Sequence, residues 1–227
     1  MSKNRIITLL TDFGLSDVYV GVMKGAIAQI NPQLQVIDIT HQIPSQNIAA
    51  ARFCLMAAFA YFPAETVHVA VVDPGVGSNR RAVAVKCASC FLVGPDNGLF
   101  SGVLSREMEE LGRAVSAASL VQLEIPNCAV TATGATGCVQ YVDRFGNLIT
   151  NIPNNCIIGN NWSVIISNSC DLIRIPSGKT YSDSKPGDLI AIIGSDGWLE
   201  IAVNGGSAQS VLQLEVGDKI EIILSGS

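Results

Sequence analysis

The first residue with clear chemical potential in this 227-residue chain is Asp12. It follows the apolar run 6–10 and a threonine, so the pattern predicts a carboxylate just past the end of a buried strand. A carboxylate in that position needs hydrogen-bond donors, and the vicinal hydroxyl groups of a ribose would supply them. The alternative is an aspartate that caps the next helix, but Ser16 and Asp17 are better placed for capping. We therefore interpret Asp12 as a candidate ligand contact.

The second candidate is the glycine-rich loop from Asp73 to Arg80, which follows the apolar run 67–72. Such a loop can fold back and bring the two charges together, where each keeps the other ionised. The backbone N–H groups exposed by Gly75 and Gly77 could then bind an anion or a polarised water. The alternative is an ion pair that only closes the loop. The loop lacks the lysine of a P-loop and the third glycine of a dinucleotide-binding fingerprint, so it fits neither phosphate motif.

The chain contains two histidines, His41 and His68. His68 lies inside the apolar run 67–72, which predicts a core or edge position. His41 follows a predicted strand at 36–39 and is placed to orient the loop after it. Neither histidine is an obvious catalyst, and the two together do not make a metal site.

Two polar clusters stand out in the second half of the chain. The segment 141–151 packs an acid, an aromatic ring and two amides around a glycine, and the segment 195–208 is similarly rich in Asp, Glu, Asn and Gly. Side chains on such turns could hold the ammonium and carboxylate groups of an amino acid. They could equally satisfy the backbone of the turns themselves, and the pattern alone leaves both alternatives open.

Composition limits the class of protein. Apolar residues make up 48% of the chain, enough for a sizeable core, whereas only 15% are charged and the net charge is −5. No basic surface is available for a nucleic-acid backbone. The apolar run 53–62 is too short to span a membrane, and seven cysteines without paired metal-ligand spacing indicate reduced thiols in a cytoplasmic protein. The single CxxC, Cys87 to Cys90, is expected in a hairpin.

The elements that must position these residues begin with an alternation of strands and helices. Strands are predicted at 6–10, 36–39 and 67–72, with helical patterns at 19–30 and 47–61 between them. Such alternation predicts parallel strands with both sheet faces covered. Ligands of these sheets lie beyond the carboxyl ends of the strands, where Asp12, His41 and Asp73 stand.

The second half of the chain has a different pattern. After a predicted hairpin at 82–93 and a helix at 99–111, residues 127–136 are small and uncharged, which predicts a linker. Beyond it, short apolar runs separated by Gly, Asn, Asp and Pro predict a β domain. The fold class is thus α/β: a mostly parallel sheet flanked by helices over residues 1–126, and a smaller β-barrel-like domain over residues 137–227.

Five motifs together resemble the S-adenosylmethionine hydroxide adenosyltransferase family, which is related to the fluorinase and chlorinase enzymes. In chain order they are Thr11-Asp12-Phe13-Gly14, Val72-Asp73-Pro74-Gly75-Val76-Gly77 with Arg80, Gly94-Pro95-Asp96-Asn97-Gly98, Asp143-Arg144-Phe145-Gly146-Asn147, and Leu199 to Ala208. The resemblance covers nearly the whole chain. It implies an N-terminal α/β domain, a C-terminal β-barrel-like domain, and a homotrimer whose active sites are shared between neighbouring subunits.

The resemblance also implies residue roles. Asp73 and Arg80 would be catalytic and would position the attacking water. The implied substrate-binding residues are Asp12, Phe13, Gln46, Asn97, Asp143, Phe145, Asn147, Ser195 and Glu200, with Asp12 on the ribose hydroxyls. The implied reaction is attack of water or hydroxide on the ribose C5′ of S-adenosyl-L-methionine, which yields adenosine and methionine without a metal or redox cofactor. Asp73 argues against halogenation, because the halogenating relatives lack an acid in that loop.

One departure from the family pattern affects the catalytic set. The family carries a third catalytic residue, a histidine, between the two domains, and this chain has no histidine from Ile125 to Gly137. His41 or another group could replace it, the Asp73–Arg80 pair could suffice at a reduced rate, or the protein could bind the ligand without turnover. Loss of one member of a catalytic set often leaves residual activity.

Overall fold

The computed structural model describes residues 6–111, 120–131, 133–157, 162–167 and 172–224. The chain forms two compact units, Met1–Glu124 and Ile125–Ser227. This division falls just before residue 126, the predicted end of the first domain. No helix of the described residues is long and apolar enough to cross a bilayer.

The first unit is built on a mostly parallel sheet, as the alternating pattern predicts. Its strands are β1 (Ile6–Thr11), β2 (Gln35–Thr40), β3 (Thr66–Val71), β4 (Ala82–Lys86) and β5 (Cys90–Pro95), in the order β2-β1-β3-β5-β4. β1 pairs in parallel with β2 and β3, and β3 pairs in parallel with β5. Only the edge strand β4 is antiparallel to its neighbour. The carboxyl ends of the four parallel strands therefore meet at one edge of the sheet.

Three helices complete the first unit: α1 (Tyr19–Ile30), α2 (Ile48–Ala58) and α3 (Ser101–Leu111). The amide oxygen of Asn47 accepts a hydrogen bond from the backbone N–H of Ala50 at 2.9 Å, which caps the start of α2. A 3₁₀ turn at Phe59–Tyr61 continues α2 to the end of the predicted helix. The core of the sheet is formed by fully buried apolar side chains, among them Leu9, Leu10 and Leu92.

The second unit is a β-barrel-like sheet, which confirms the predicted class. Its strands are β6 (Ala129–Thr131), β7 (Gly134–Val142), β8 (Leu148–Pro153), β9 (Trp162–Ser167), β10 (Leu172–Pro176), β11 (Leu189–Ile193), β12 (Trp198–Val203) and β13 (Lys219–Leu224). They pair in the order β10-β9-β13-β7-β8-β12-β11, with β6 added to β7. A bridge between Ser177 and Ala191 brings the two ends of this series together, so the barrel is nearly closed.

The segment 127–136 differs from the predicted linker, because it contains β6 and the first residues of β7. Its small residues reflect close packing rather than chain flexibility. A Cβ atom at Gly134 would lie 1.8 Å from the carbonyl oxygen of Ile222, and one at Gly137 would lie 2.3 Å from Oδ1 of Asn151. The apolar runs that predict strands in this unit are 138–142, 162–166, 189–193, 199–203 and 220–224. Two further strands, β8 and β10, and the short helix α4 (Ala208–Leu212) have no counterpart among them.

The cysteines fit the predicted reduced state where they are described. Six of them are free, and Cys170 lies outside the described residues. Cys87 and Cys90 flank the tight turn between β4 and β5, as expected, with the Cys87 N–H donating to the Cys90 carbonyl at 2.9 Å. A hydrogen bond with Cys90, together with burial, raises the pKa of the Cys87 thiol.

Candidate active site

Asp12 stands in the turn that follows β1. Its Oδ2 accepts a 2.7 Å hydrogen bond from the backbone N–H of Gln46, at the start of α2. Gly14 adopts a φ of +71° in the same turn, and its N–H donates to the carbonyl of His41 at 2.7 Å. The carboxylate is therefore held in place by the next strand–helix connection, and the residues that the structure describes leave its other lone pairs available to a ligand.

Phe13 and Gln46 are the two other predicted substrate-binding residues in this region. The ring of Phe13 packs against that of Tyr19, with 5.8 Å between ring centroids. Gln46 has a φ of +62°, a left-handed conformation that is uncommon for residues other than glycine. This conformation accompanies the hydrogen bond from the Gln46 N–H to Asp12, so Gln46 contributes to the turn through its backbone.

Asp73 and Arg80 form an ion pair across the loop that follows β3. Nε of Arg80 donates to Oδ1 of Asp73 at 2.9 Å and Nη2 donates to Oδ2, which gives the two-point geometry of a strong arginine–carboxylate pair. The Asp73 side chain is 6% exposed and that of Arg80 is 27% exposed. A Cβ atom at Gly75 would lie 3.4 Å from Cγ of Arg80, an ordinary van der Waals contact, so the loop packs closely around the ion pair.

The order of the strands places the Asp12 turn and the Asp73 loop side by side. β1 and β3 are parallel neighbours, and Thr11 is paired with Val71 at their ends. Asn97 lies in the turn after β5. Its Nδ2 donates to the carbonyl of Val72 at 2.8 Å, which connects this turn to the Asp73 loop. Three of the sequence-predicted residues, Asp12, Asp73 and Asn97, thus lie at the same edge of one sheet, which is the ligand-binding edge of such folds.

The two histidines are both buried in the first unit. Nδ1 of His68 lies 2.7 Å from Oγ1 of Thr8, its ring packs edge-on against Phe62, and burial lowers its pKa to about 4. His41 is 3% exposed, and its Nδ1 lies 2.8 Å from Oγ1 of Thr11. Both imidazoles are therefore buried against threonines of the neighbouring strand β1.

In the second unit, Asp143 organises the tight turn between β7 and β8. Its Oδ1 accepts hydrogen bonds from the N–H groups of Phe145 and Asn147 at 2.8 and 2.9 Å, and its Oδ2 accepts one from Nδ2 of Asn147 at 2.9 Å. Gly146 has a φ of +80°, and a Cβ atom there would lie 2.0 Å from Oγ of Ser207. The turn leaves the Phe145 ring 75% exposed, so an apolar surface stands beside a half-buried acid.

Glu200 lies on β12 and is buried, whereas Ser195 is exposed in the turn before that strand. Burial raises the pKa of Glu200, and the charges of Asp143 and Asp196 add to this effect. The hydroxyl of Tyr181 donates a 2.6 Å hydrogen bond to Oε1 of Glu200 and partly offsets the increase. Asp143, Asp196 and Glu200 therefore form a group of acids whose charge would suit a cationic ligand.

Tyr181 is the site residue that the sequence analysis missed. It begins a 3₁₀ turn, Tyr181–Asp183, closed by a capping box in which the side chains of Thr180 and Asp183 each accept a backbone hydrogen bond. The Thr-x-x-Asp spacing is visible in the sequence, but it predicts only the turn. The contact with Glu200 is made between residues 19 positions apart and depends on the barrel.

Metal ligation finds no support among the side chains that the structure describes. No group of three or more His, Cys, Asp or Glu side chains stands close enough there to hold an ion. The Asp73 carboxylate is paired with arginine, and Asp143 accepts three hydrogen bonds from its own turn. Hydrogen bonding and charge, rather than coordination, are the chemistry that these residues offer.

Both units match known families of domains. Residues 7–133 match the S-adenosylmethionine hydroxide adenosyltransferase N-terminal domain, and residues 137–221 match the corresponding C-terminal domain. The chain therefore belongs to the S-adenosylmethionine hydroxide adenosyltransferase family, in agreement with the resemblance carried by its motifs.

Individual relatives match over nearly their whole length. The chain is 35% identical to (R)-S-adenosyl-L-methionine hydrolase of Methanocaldococcus jannaschii, covering 96% of this chain and 95% of the relative. It is 31% identical to the enzyme of the same name from Salinispora tropica, covering 98% and 99%. The crystal structure of an uncharacterised conserved protein from Thermotoga maritima superposes with a TM-score of 0.83 at 30% identity, covering 95% of this chain and 99% of that one.

The alignments also show that this chain is short for its family. The alignment with the Salinispora enzyme extends over 265 positions against the 227 residues of this chain, which leaves at least 38 positions of the relative without a counterpart.

Proposed function

We propose that this protein hydrolyses S-adenosyl-L-methionine to adenosine and L-methionine. The observation that carries the proposal is its identity of 31–35% over nearly the full chain to relatives named (R)-S-adenosyl-L-methionine hydrolase. The paired Asp73 and Arg80, next to the Asp12 turn on the parallel sheet, support it independently.

In the proposed mechanism, a water oxygen attacks the ribose C5′ in line with the C5′–S bond. As the new C–O bond forms, the C5′–S pair of electrons moves to sulfur, which neutralises the sulfonium and releases methionine. One proton of the water is released to the solvent, which balances the lost positive charge of the sulfonium, and the other stays on the 5′-hydroxyl of adenosine. The Asp73–Arg80 pair orients this water, because the arginine keeps the carboxylate ionised as a hydrogen-bond acceptor.

The substrate is held by the other residues of the set. Asp12 accepts the ribose hydroxyls, with Phe13, Gln46 and Asn97 shaping that end. The acids near Asp143 attract the positive charge of the amino-acid portion. Phe145 packs on the ligand, Asn147 fixes the turn, and Glu200 and Ser195 contribute from β12 and from the turn before it.

We also propose that the protein is a homotrimer with substrate sites shared between neighbouring copies, and that it works in the cytoplasm without a cofactor. The start of α1 supports an oligomer, since Val18 and Val22 are 73% and 62% exposed. The free cysteines support a reducing compartment.

A second candidate function is binding of S-adenosylmethionine or adenosine without turnover. One observation favours it: both histidines are buried against threonines, so the family's third catalytic residue has no histidine replacement.

Product analysis separates the two functions. Purified protein is incubated with each sulfonium epimer of S-adenosyl-L-methionine, and adenosine and methionine are quantified together. Hydrolysis predicts equal amounts of both products, formed from the R epimer and lost in Asp73→Ala. Binding alone predicts a thermal shift with ligand, weakened in Asp12→Ala, and no product. Absence of both product and thermal shift would refute the proposed function and its alternative together.

A further inference from the structure

His41 lies behind the Asp12 turn and contacts it in two ways. Its carbonyl accepts the N–H of Gly14 at 2.7 Å, and its Nδ1 lies 2.8 Å from Oγ1 of Thr11, the residue before Asp12. Oγ1 of Thr11 also accepts the N–H of Phe13, the residue after Asp12, at 3.2 Å. The backbone on both sides of Asp12 is thus attached to one hydroxyl group, and that hydroxyl is attached to His41.

The hydrogen-bond pattern fixes the state of the imidazole. The Thr11 hydroxyl is fully buried and needs an acceptor for its own proton, because its oxygen already accepts from Phe13. Nδ1 of His41 is the acceptor in reach, so the ring carries its proton on Nε2. Nε2 lies 3.2 Å from Oδ1 of Asp38, whose charge favours this tautomer.

Asp38 is itself fixed by a cation. Its Oδ2 accepts a 2.7 Å hydrogen bond from Nζ of Lys24 on α1. Burial alone would raise the pKa of Asp38, but the hydrogen bonds from Lys24 and His41 and the charge of Lys24 outweigh it and hold the pKa below its usual value. The carboxylate behind His41 is therefore ionised near neutral pH.

We propose that His41 is a positioning residue for the ribose-binding carboxylate, acting through Thr11 to hold the Asp12 turn in the geometry that accepts a vicinal diol. The inference rests on the proposed role of Asp12. To bind two adjacent hydroxyls, the Asp12 carboxylate must point its lone pairs at both of them. A loosened turn therefore weakens the contact with the diol before it weakens the other contacts of the ligand.

The test compares two ligands that differ only in the diol. Dissociation constants of adenosine and 2′,3′-dideoxyadenosine are measured by calorimetry on the full chain, and their ratio reports the diol contact alone. The wild type is expected to favour adenosine by about tenfold or more, the usual effect of hydrogen bonds to a charged group. His41→Ala should reduce this preference to about threefold or less while leaving dideoxyadenosine affinity unchanged.

Conservative variants separate positioning from general stability. Asparagine places an amide oxygen near the site of Nδ1, so His41→Asn should restore most of the preference. Thr11→Val, which removes the hydroxyl without changing the shape, should behave like His41→Ala, whereas Thr11→Ser should behave like the wild type. If His41→Ala does not fold, the comparison of Thr11→Val with Thr11→Ser tests the same positioning role.

The measured ratios separate a wrong role for His41 from a wrong role for Asp12. If His41→Ala and Thr11→Val keep the wild-type ratio while Asp12→Ala abolishes it, Asp12 binds the diol and the role of His41 is wrong. If Asp12→Ala also keeps the wild-type ratio, or the wild type does not distinguish the two ligands, the ribose-binding role of Asp12 fails, and the inference fails with it.

Discussion

Three acids of the first unit and two acids of the second are held by different means. In the first unit, Asp73 is paired with Arg80, Asp96 with Arg81, and Asp38 with Lys24. In the second unit, Asp143 is held by N–H groups of its own turn and Glu200 by the hydroxyl of Tyr181. The first arrangement neutralises each carboxylate, whereas the second leaves the negative charge uncompensated.

This difference suits the two ends of the proposed substrate. A neutral adenosine needs oriented acceptors, which an acid held by backbone groups or by a cation provides, and a cation partner also neutralises the charge. A sulfonium with an attached amino acid carries positive charge, which a group of unpaired acids attracts. The raised pKa of Glu200, due first to burial and then to the nearby acids, is the electrostatic cost of that arrangement.

The largest effect is expected from substitution of Arg80, the first of two adjacent arginines in the first unit. Arg80→Lys replaces the planar two-point contact with Asp73 by a single ammonium contact, so the carboxylate loses its fixed orientation. We expect kcat for S-adenosyl-L-methionine hydrolysis to fall about 10- to 100-fold with little change in melting temperature.

The matched control is Arg81→Lys. Arg81 donates from Nε to Oδ2 of Asp96 at 2.9 Å, and Oδ1 of the same acid accepts the N–H of Val121 at 2.8 Å. This pair is structural in our interpretation, so its loss should lower the melting temperature and leave kcat unchanged. Equal losses of kcat in the two variants would remove the distinction between the pairs.

The second prediction concerns the uncompensated charge of the second unit. Asp143→Asn keeps an oxygen for the N–H groups of the turn but removes the charge that attracts the substrate. The KM for S-adenosyl-L-methionine should rise about tenfold, because the positive charge of the substrate loses the attraction of this carboxylate, with a smaller change in kcat. Asp218→Asn is the control, because Asp218 also accepts a turn N–H, that of Glu215 at 2.7 Å. Steady-state kinetics that shift equally in both variants would contradict the role of Asp143.

The smallest effect is expected in stability. Because the pKa of Glu200 is raised above its ordinary value of 4.5, the folded protein keeps a proton there that the unfolded chain has already lost. Wild-type stability should therefore decrease as pH rises above this ordinary pKa, and Glu200→Gln, which is always neutral, should avoid that loss. The variant should melt higher than the wild type at neutral pH, and the difference should shrink toward pH about 4. A difference independent of pH would show that the charge of Glu200 carries no cost.

Several features of the fold follow directly from the sequence. The alternation of apolar runs and helical patterns predicts β1, β2 and β3 correctly, because buried parallel strands are apolar on both faces. The turn residues after those strands predict where Asp12 and the Asp73–Arg80 loop stand, since glycine and proline mark chain reversals locally. Small residues at 127–136 misled the prediction, because composition cannot separate a flexible linker from a strand packed against a neighbouring backbone.

The sequence by itself determined the two-domain organisation, the parallel sheet and the family, because these depend on periodicity and on motifs that are local in the chain. Only the tertiary structure decided which polar groups meet. The approach of Tyr181 to Glu200, of Gln46 to Asp12 and of His41 to Thr11 joins residues 19 to 34 positions apart. Such contacts arise from strand order and from loops that pack at the same edge, and no local pattern encodes which distant partner a buried donor will find.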